Sequence, residues 1–166
     1  PMVAAGLESE VYIGQPPVSY SIHNITGELA SGGTGSFEVH MTNTETVGTM
    51  SFEISDVPEY LTVTSIEALD RFSSGVIDGS SGEDSDGENF YFLGYDFAGG
   101  VPPGEGGIIK VNVQMSQNID NPNVMLFFDE VSAGDAGANS IMAASQGLGL
   151  FNTSMLSADF GSSIPI

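Results

Sequence analysis

The fold of this chain is decided by Val18-Ser19-Tyr20-Ser21-Ile22-His23, a stretch in which apolar and polar side chains alternate. After the turn signal Ala30-Ser31-Gly32-Gly33, the alternation returns in Phe37-Glu38-Val39-His40-Met41-Thr42. Successive side chains of a β-strand point to opposite faces of its sheet, so a period of two is typical of a strand with one buried face. The two stretches therefore predict a pair of half-buried strands joined by a turn.

Further strand-like runs follow along the rest of the chain, each bounded by Gly, Pro, Asn or Asp. They cover residues 49–55, 60–66, 89–97, 107–116, 123–131, 139–144 and 147–152. No long stretch keeps apolar residues at the spacing of a helix without interruption by Gly, Pro or β-branched residues. The sequence predicts an all-β, jelly-roll-like β-sandwich of about nine strands with extended N- and C-terminal segments.

Two runs, 89–95 and 124–128, are apolar at nearly every position. A strand that is covered on both faces carries such a pattern, so we interpret these runs as central strands of the sandwich. An exposed aromatic strip that binds a partner is the alternative.

Composition narrows the classes of function. The chain has 166 residues, the usual size of one domain, and it has no cysteine, which excludes disulfides and Cys-ligated metal sites. Its 22 Asp and Glu face only Lys110 and Arg71, for a net charge of −20. Binding to nucleic acid depends on clustered Lys and Arg, so we expect no nucleic-acid partner.

Location is also constrained by the sequence. No run reaches the roughly 18 apolar residues of a membrane helix, so we expect no membrane insertion. A strong negative charge with almost no Lys suits an environment in which counterions screen self-repulsion. We therefore expect an extracellular or cell-surface location, and a salt-rich cytoplasm would also fit.

Several stretches resemble cohesin modules and related bacterial adhesion sandwiches. In that family a strand of alternating Val ends in Asn, a second strand carries a Phe, and a turn with Tyr or Pro precedes a Leu-x-Val strand. The stretches with this likeness are Gly35–Asn43, Gly48–Ile54, Tyr60–Val63, Gly104–Val113, Asp129–Val131 and Asp135–Ile141. The resemblance implies a cohesin-like β-sandwich over residues 18–152. It also implies a dockerin-type partner, which cohesin modules of enzyme complexes recognise through one sheet face.

The resemblance leaves residues 1–17 and 153–166 outside the sandwich. The leading segment is separated from it by Gln15-Pro16-Pro17, and two successive prolines enforce a stiff, extended link. An extended apolar segment on such a link could add as a strand to the open edge of a neighbouring sandwich. The predicted subunit-interface residues are Val3, Ala5, Leu7, Val11 and Ile13.

Three functions follow from these features. The leading hypothesis is an extracellular structural subunit that polymerises head-to-tail into a fibre or surface assembly by strand addition. The first alternative is a cohesin module that binds a dockerin-type partner in a cell-surface scaffold. The second is a carbohydrate-binding sandwich that uses Tyr91, Tyr95 or Phe97, which the absence of Trp disfavours.

The loop 78–89 is the densest acidic stretch and the candidate cation site. Calcium takes about six to eight oxygen ligands from carboxylates and carbonyls. Asp84-x-Asp86-Gly87 is similar to part of an EF-hand loop, but Gly82 and Leu93 then fall at the first and twelfth ligand positions, where neither side chain can coordinate. A solvated acidic loop is the alternative. The predicted calcium ligands are Asp78, Glu83, Asp84, Asp86, Glu88 and Asn89.

Catalysis has little support in the sequence. His23 and His40 are the only histidines, both are expected on outward faces of strands, and neither belongs to a metal-spaced or triad-like pattern. No nucleophile elbow, phosphate loop or dinucleotide fingerprint is present. We expect that the protein is not an enzyme.

Overall fold

The computed structural model describes residues 14–152 apart from 28–29, 85–86, 88, 122 and 148. These residues form twelve strands and one short 3-10 helix, Asp70–Phe72. None of the helical structure in this part of the chain is long and apolar enough to span a membrane. The strands are β1 Val18–Thr26, β2 Thr34–Asn43, β3 Thr49–Val57, β4 Leu61–Ala68, β5 Val76–Ile77, β6 Gly82–Glu83, β7 Asn89–Tyr95, β8 Gly104–Met115, β9 Asn123–Gly134, β10 Ser140–Ile141, β11 Ala143–Gln146 and β12 Gly149–Asn152.

The strands form two sheets that pack face to face. The first has the order β11-β1-β2-β8-β4, and the second has the order β10-β9-β3-β7-β5, with β12 on β9 and β6 on β7. The two alternating stretches pair with each other as predicted, so that Tyr20 lies opposite Met41 and Ile22 lies opposite Val39. The expectation of an all-β sandwich is confirmed.

One predicted strand was wrong. Residues 139–144 do not form a single strand, because β10 pairs with β9 in the second sheet whereas β11 pairs in parallel with β1 in the first. The chain changes sheets at Met142, which is 69% exposed. The sequence pattern marks this run as extended but carries no signal for a change of sheet. The two-residue strands β5 and β6 were also missed, since they are too short to show a period of two.

Aromatic side chains join the two sheets at the centre of the sandwich. Tyr20 of the first sheet is fully buried, and its ring centroid lies 5.3 Å from that of Phe52 in the second. Phe52 also stacks on Phe92 at 4.7 Å and meets Phe128 edge-on at 5.7 Å. Burial raises the pKa of the Tyr20 hydroxyl, which donates a 2.8 Å hydrogen bond to the carbonyl oxygen of Ser132. These contacts fix which side of β3 faces the core.

Arg71 holds the 3-10 helix against the end of β2. Its guanidinium donates hydrogen bonds to the carbonyl oxygens of Met41 at 2.7 Å and Pro102 at 2.8 Å, and to the side-chain oxygen of Asn43 at 2.8 Å. The buried amide of Asn43 donates in turn to the carbonyl oxygen of Glu45 at 2.7 Å. One of the two basic side chains is therefore committed to holding loops together.

Asp56 caps the turn between β3 and β4. One oxygen of its carboxylate accepts hydrogen bonds from the backbone N–H groups of Tyr60 at 2.7 Å and Leu61 at 2.9 Å. Burial raises the pKa of the Asp56 carboxyl, and the two hydrogen bonds oppose that shift. The turn thus depends on an acceptor whose charge is costly to bury.

Truncation of Phe52 tests the aromatic core. Phe52→Ala should lower the free energy of unfolding by about 3–5 kcal/mol, because it opens a cavity between the sheets. Phe52→Leu, which keeps more of the volume, should cost less. Urea unfolding measures both. Phe97→Ala is the matched control, since Phe97 is 57% exposed and its truncation should change stability by less than about 0.5 kcal/mol. Equal losses for the Phe52 and Phe97 variants would contradict this account of the core.

Two substitutions separate the hydrogen bonds of Asp56 from its charge. Asp56→Ala leaves two backbone N–H groups without an acceptor and should lower the free energy of unfolding by about 1–3 kcal/mol. Asp56→Asn keeps an acceptor oxygen and carries no charge, so it should be at least as stable as the wild type at neutral pH. An Asn variant as unstable as the Ala variant would contradict this explanation.

The stability difference between the wild type and Asp56→Asn should depend on pH, because the pKa of Asp56 is raised. In the pH range just above the ordinary Asp pKa of about 3.9, the native state binds more protons than the unfolded state. The contribution of Asp56 to wild-type stability therefore falls as the pH rises through that range. The advantage of Asp56→Asn should disappear as the pH drops below it, which urea unfolding at a series of pH values measures.

Candidate functional site

The two sheets present outer faces of different chemistry. On the first sheet, the outward positions of β1, β2, β8 and β4 are dominated by polar side chains. They include Ser19, Ser21, His23, Glu38, His40, Thr42, Lys110, Asn112, Gln114, Ser65 and Glu67. Such a face is already well solvated and offers little apolar area to a partner.

Both histidines lie on this polar face, as predicted, and they do not form a catalytic triad. Their rings stack with centroids 4.3 Å apart. His23 Nε2 lies 2.8 Å from Ser21 Oγ, but the nearby carboxylate, Glu38, bonds to His40 Nε2 instead, also at 2.8 Å. That hydrogen bond from His40, helped by one from Asn24, holds the pKa of Glu38 below its usual value. A triad needs the carboxylate on the same histidine as the serine.

Exposed apolar side chains concentrate on the second sheet. Six large apolar side chains of the described residues are strongly exposed, and five of them project from the outer face of this sheet or from its rim. They are Val57 46%, Val76 49%, Phe97 57%, Met125 44% and Leu150 45% exposed, and the sixth is Met142. We call the outward-facing surface of the second sheet the β3 face, after its central strand.

Strand register explains why three of these side chains are adjacent. Val57 on β3 lies opposite Met125 on β9, and Met125 lies opposite Leu150 on β12. Facing residues on neighbouring strands have Cβ atoms about 4.5–5.5 Å apart. Val57, Met125 and Leu150 therefore form a continuous apolar row, the aliphatic rim of the β3 face.

The opposite end of the β3 face is aromatic. Val76 on β5 lies opposite Tyr95 on β7, and the Tyr95 ring stacks on Phe97 with centroids 5.2 Å apart. These three residues form the aromatic rim. Because Thr49 shares the row of Tyr95 and Val57 belongs to the aliphatic rim, the length of β3 separates the rims by about 26 Å.

The centre of the β3 face combines polar and acidic side chains with the half-buried Tyr91, Leu93 and Phe127. Ser51 and Ser132 share a 2.7 Å hydrogen bond across β3 and β9, and Leu93 lies opposite Ser51 on the other side. Glu53 lies directly opposite Glu130, an arrangement that places two negative charges side by side.

A bulge in β9 adds a third carboxylate to this centre. The register of β9 against β3 shifts between Glu53 and Ile54, so Asp129 is the extra residue of β9. Its carboxylate accepts a hydrogen bond from the hydroxyl of Ser55, which lies beside Asn89. Bulges re-aim side chains in this way. The β3 face therefore combines apolar rims with carboxylates at its centre.

Neither basic residue of the chain neutralises these carboxylates. Arg71 is held at the end of β2, and Lys110 lies on the first sheet opposite Glu38 and Glu67. The β3 face consequently carries uncompensated negative charge between its two apolar rims.

The structure brings only some of the described calcium candidates together: Glu83 and Asp84 lie beside Asn89, whose carbonyl oxygen accepts a 2.9 Å hydrogen bond from the Asp84 N–H. Asp78 accepts hydrogen bonds from the N–H and hydroxyl of Ser80, and Asn89 donates to Glu53 at 2.9 Å on the β3 face. Burial and the charge of Asp84 raise the pKa of Glu83. Asp86 and Glu88 lie outside the described residues. Within the described part of the chain, no three Asp, Glu or His side chains are placed to hold a metal ion.

Calcium binding by the loop 78–89 stays a prediction that one titration tests. If the loop binds calcium, Asp84→Asn combined with Asp86→Asn should abolish the heat of calcium binding measured by isothermal titration calorimetry. Glu105→Gln is the matched control, because it removes an exposed charge from β8 on the first sheet. Equal calcium binding by the wild type and the double variant would leave the loop as solvated acidic chain.

Of the remaining site residues predicted from the sequence, one set lies outside the described residues and the other lies on the β3 face. The predicted interface residues Val3, Ala5, Leu7, Val11 and Ile13 lie outside the described residues. Tyr91, Tyr95 and Phe97 all belong to the β3 face or its rim.

Sequence reasoning missed the aliphatic rim. Val57, Met125 and Leu150 come from three strands that are far apart in the chain, and only their register brings them together. The one available signal was the run 124–128, whose apolar residues point to both faces. The sequence could not show whether another part of the protein covers the outer face.

No family model matches the chain, and no curated protein matches it. Among solved structures, a non-cellulosomal cohesin from the archaeon Archaeoglobus fulgidus has a TM-score of 0.64 and 18% identity, covering 88% of this chain and 98% of that one. The complex of cohesin OlpA with dockerin Doc918 from Clostridium thermocellum matches with a TM-score of 0.63 and 13% identity, covering 81% and 97%.

A third structure agrees with these two. A cohesin module from a Clostridium perfringens family 33 glycoside hydrolase has a TM-score of 0.62 and 15% identity, covering 82% of this chain and 94% of that one. At these identities the likeness concerns the fold. The described chain is a cohesin-like β-sandwich.

Proposed function

We propose that this chain is a binding module that takes a dockerin-type protein partner on its β3 face. The observation that carries the proposal is the concentration of exposed apolar side chains on one face of the sandwich. Apolar patches framed by polar groups mark protein interaction sites on soluble domains. Cohesin–dockerin complexes among the similar structures support a partner of this class.

The negative charge of the β3 face indicates that the partner surface is basic. Glu53, Asp129 and Glu130 have no basic neighbour on the face, so a partner that offers Lys or Arg would relieve their mutual repulsion. Its apolar anchors would cover the aliphatic and aromatic rims. Association with such a partner should slow as ionic strength rises, because salt screens the attraction between opposite charges.

The proposal places the module outside the cell or on its surface, as part of a scaffold, without catalysis. The acidic composition suits a salt-screened exterior. The histidine pair lacks the arrangement of a catalytic triad, because Ser21 lies beside His23 whereas the Glu38 carboxylate bonds to His40.

Carbohydrate binding has less support than a protein partner. A sugar ring binds flat against an open aromatic face, whereas Tyr95 and Phe97 each cover one face of the other. Tyr91 is half-buried beside Glu53. The aliphatic rim has no role in a sugar site but completes a protein-sized surface.

Surface plasmon resonance against a panel of immobilised dockerin modules, including Doc918, tests the proposal. At least one module should bind. Phe97→Asp and Leu150→Asp should each weaken that binding about tenfold or more, because they place a charge within an apolar contact. Both positions are exposed, so the variants should fold normally.

Met142→Asp and His40→Ala are the matched controls, since Met142 is exposed away from the β3 face and His40 lies on the first sheet. Neither should change the affinity. The proposal fails if no dockerin module binds, or if Met142→Asp weakens binding as much as Phe97→Asp does.

A further inference from the structure

The β4 edge of the first sheet is open. β4 pairs with β8 on one side, and no described strand pairs with it on the other. Backbone N–H and C=O groups along such an edge can pair with an added strand. The register of β4 against β8 shifts between Val63 and Ser65, so Thr64 has no facing residue on β8. The strand nevertheless continues over all eight residues.

A groove of about 290 Å³ runs beside this edge, between β4 and the short strands β5 and β6. Its apolar lining comes from Val63, Ile66 and Ile77, which are all half-buried. Val63 also lines a narrow crevice that leads to the core residues Phe37 and Phe90. The edge therefore offers both unpaired backbone and apolar recesses for alternate side chains of an extended segment.

The sequence before the sandwich has the pattern that this groove requires. Its odd positions from Val3 to Ile13 are Val, Ala, Leu, Ser, Val and Ile, whereas the even positions between them are Ala, Gly, Glu, Glu and Tyr. An added strand would turn the odd side chains toward the groove and the two carboxylates toward solvent. This alternation matches one apolar face and one solvated face.

Chain length argues for the groove of a second copy. The carbonyl oxygen of Pro17 accepts a hydrogen bond from the Thr44 N–H at 2.9 Å, which fixes the start of the sandwich beside the end of β2. In one sheet, a strand added beyond β4 lies about 19 Å from β1. The five steps from Val18 back to Ile13 span at most about 17 Å. Ile13 therefore cannot reach the groove of its own sandwich, so a contact that uses the whole apolar face from Val3 to Ile13 requires the groove of a second copy.

We propose that the β4 groove binds residues 3–13 of a second copy of this chain, which adds to the first sheet as an extra strand. The surface lies along the sandwich edge and is separate from the β3 face. Because donor and acceptor are different surfaces, the contact is heterologous and extends into a chain of subunits.

Engineered cysteines test this contact without background, because the chain has no cysteine of its own. Full-length protein with Leu7→Cys is mixed with isotope-labelled full-length protein carrying Ile66→Cys, and the mixture is oxidised mildly. A disulfide forms only when the two Cα atoms come within about 7 Å. Mass spectrometry should show disulfide dimers that pair one labelled and one unlabelled chain.

Two matched variants define the background. Met142→Cys replaces Ile66→Cys as an exposed acceptor away from the groove, and Ala4→Cys replaces Leu7→Cys on the opposite face of the segment. Both should lose the dimer. Equal yields with Met142→Cys overturn the proposal, and so does the absence of mixed dimers. A further sample is a single chain that carries both Leu7→Cys and Ile66→Cys. If its disulfide forms only within one chain and never between chains, the proposal is also overturned.

Sedimentation gives a second readout that does not depend on cysteine geometry. The full-length protein should form oligomers that grow with concentration, and Leu7→Asp should abolish them while Ala4→Asp should not. A monomeric wild type overturns the proposal. Dockerin binding is measured on a different face, so failure of either proposal leaves the other intact.

Discussion

The packing of Phe52 against Tyr20 is the contact on which the other features depend. It joins the two sheets and fixes which side of β3 faces the core. Because side chains alternate along a strand, a slip of one residue would exchange the buried and exposed sets. With Phe52 inside, Ser51, Glu53 and Val57 must point outward. The chemistry of the β3 face is thus a consequence of the aromatic core.

Distribution of the two basic residues explains why the β3 face is acidic. Arg71 is hydrogen-bonded to the end of β2 and to Pro102, and Lys110 lies between two glutamates of the first sheet. No cation remains for Glu53, Asp129 and Glu130. A net charge of −20 favours solubility and separation of copies, so any contact between copies must gain enough from apolar burial and strand pairing to offset repulsion.

The sequence was sufficient for the local elements and insufficient for their assembly. Alternation identified β1 and β2 because each has one buried face, and Phe37, Val39 and Met41 are all in the core. It could not identify the aliphatic rim, since the contact of Val57 with Met125 and Leu150 depends on long-range register. The switch of sheets at Met142 and the short strands β5 and β6 could not be predicted for the same reason. They are defined by pairing with distant strands, which leaves no local pattern in the sequence.

A protein partner is proposed to cover the β3 face. Hydroxyl-radical footprinting with mass spectrometry tests it directly, because aromatic and sulfur-containing side chains react readily and this face carries Tyr95, Phe97 and Met125. With a bound dockerin module, oxidation of these three residues should fall, while oxidation of Met142 and of the two histidines should not change. Protection of His23 and His40 with undiminished oxidation of Phe97 and Met125 would contradict the account.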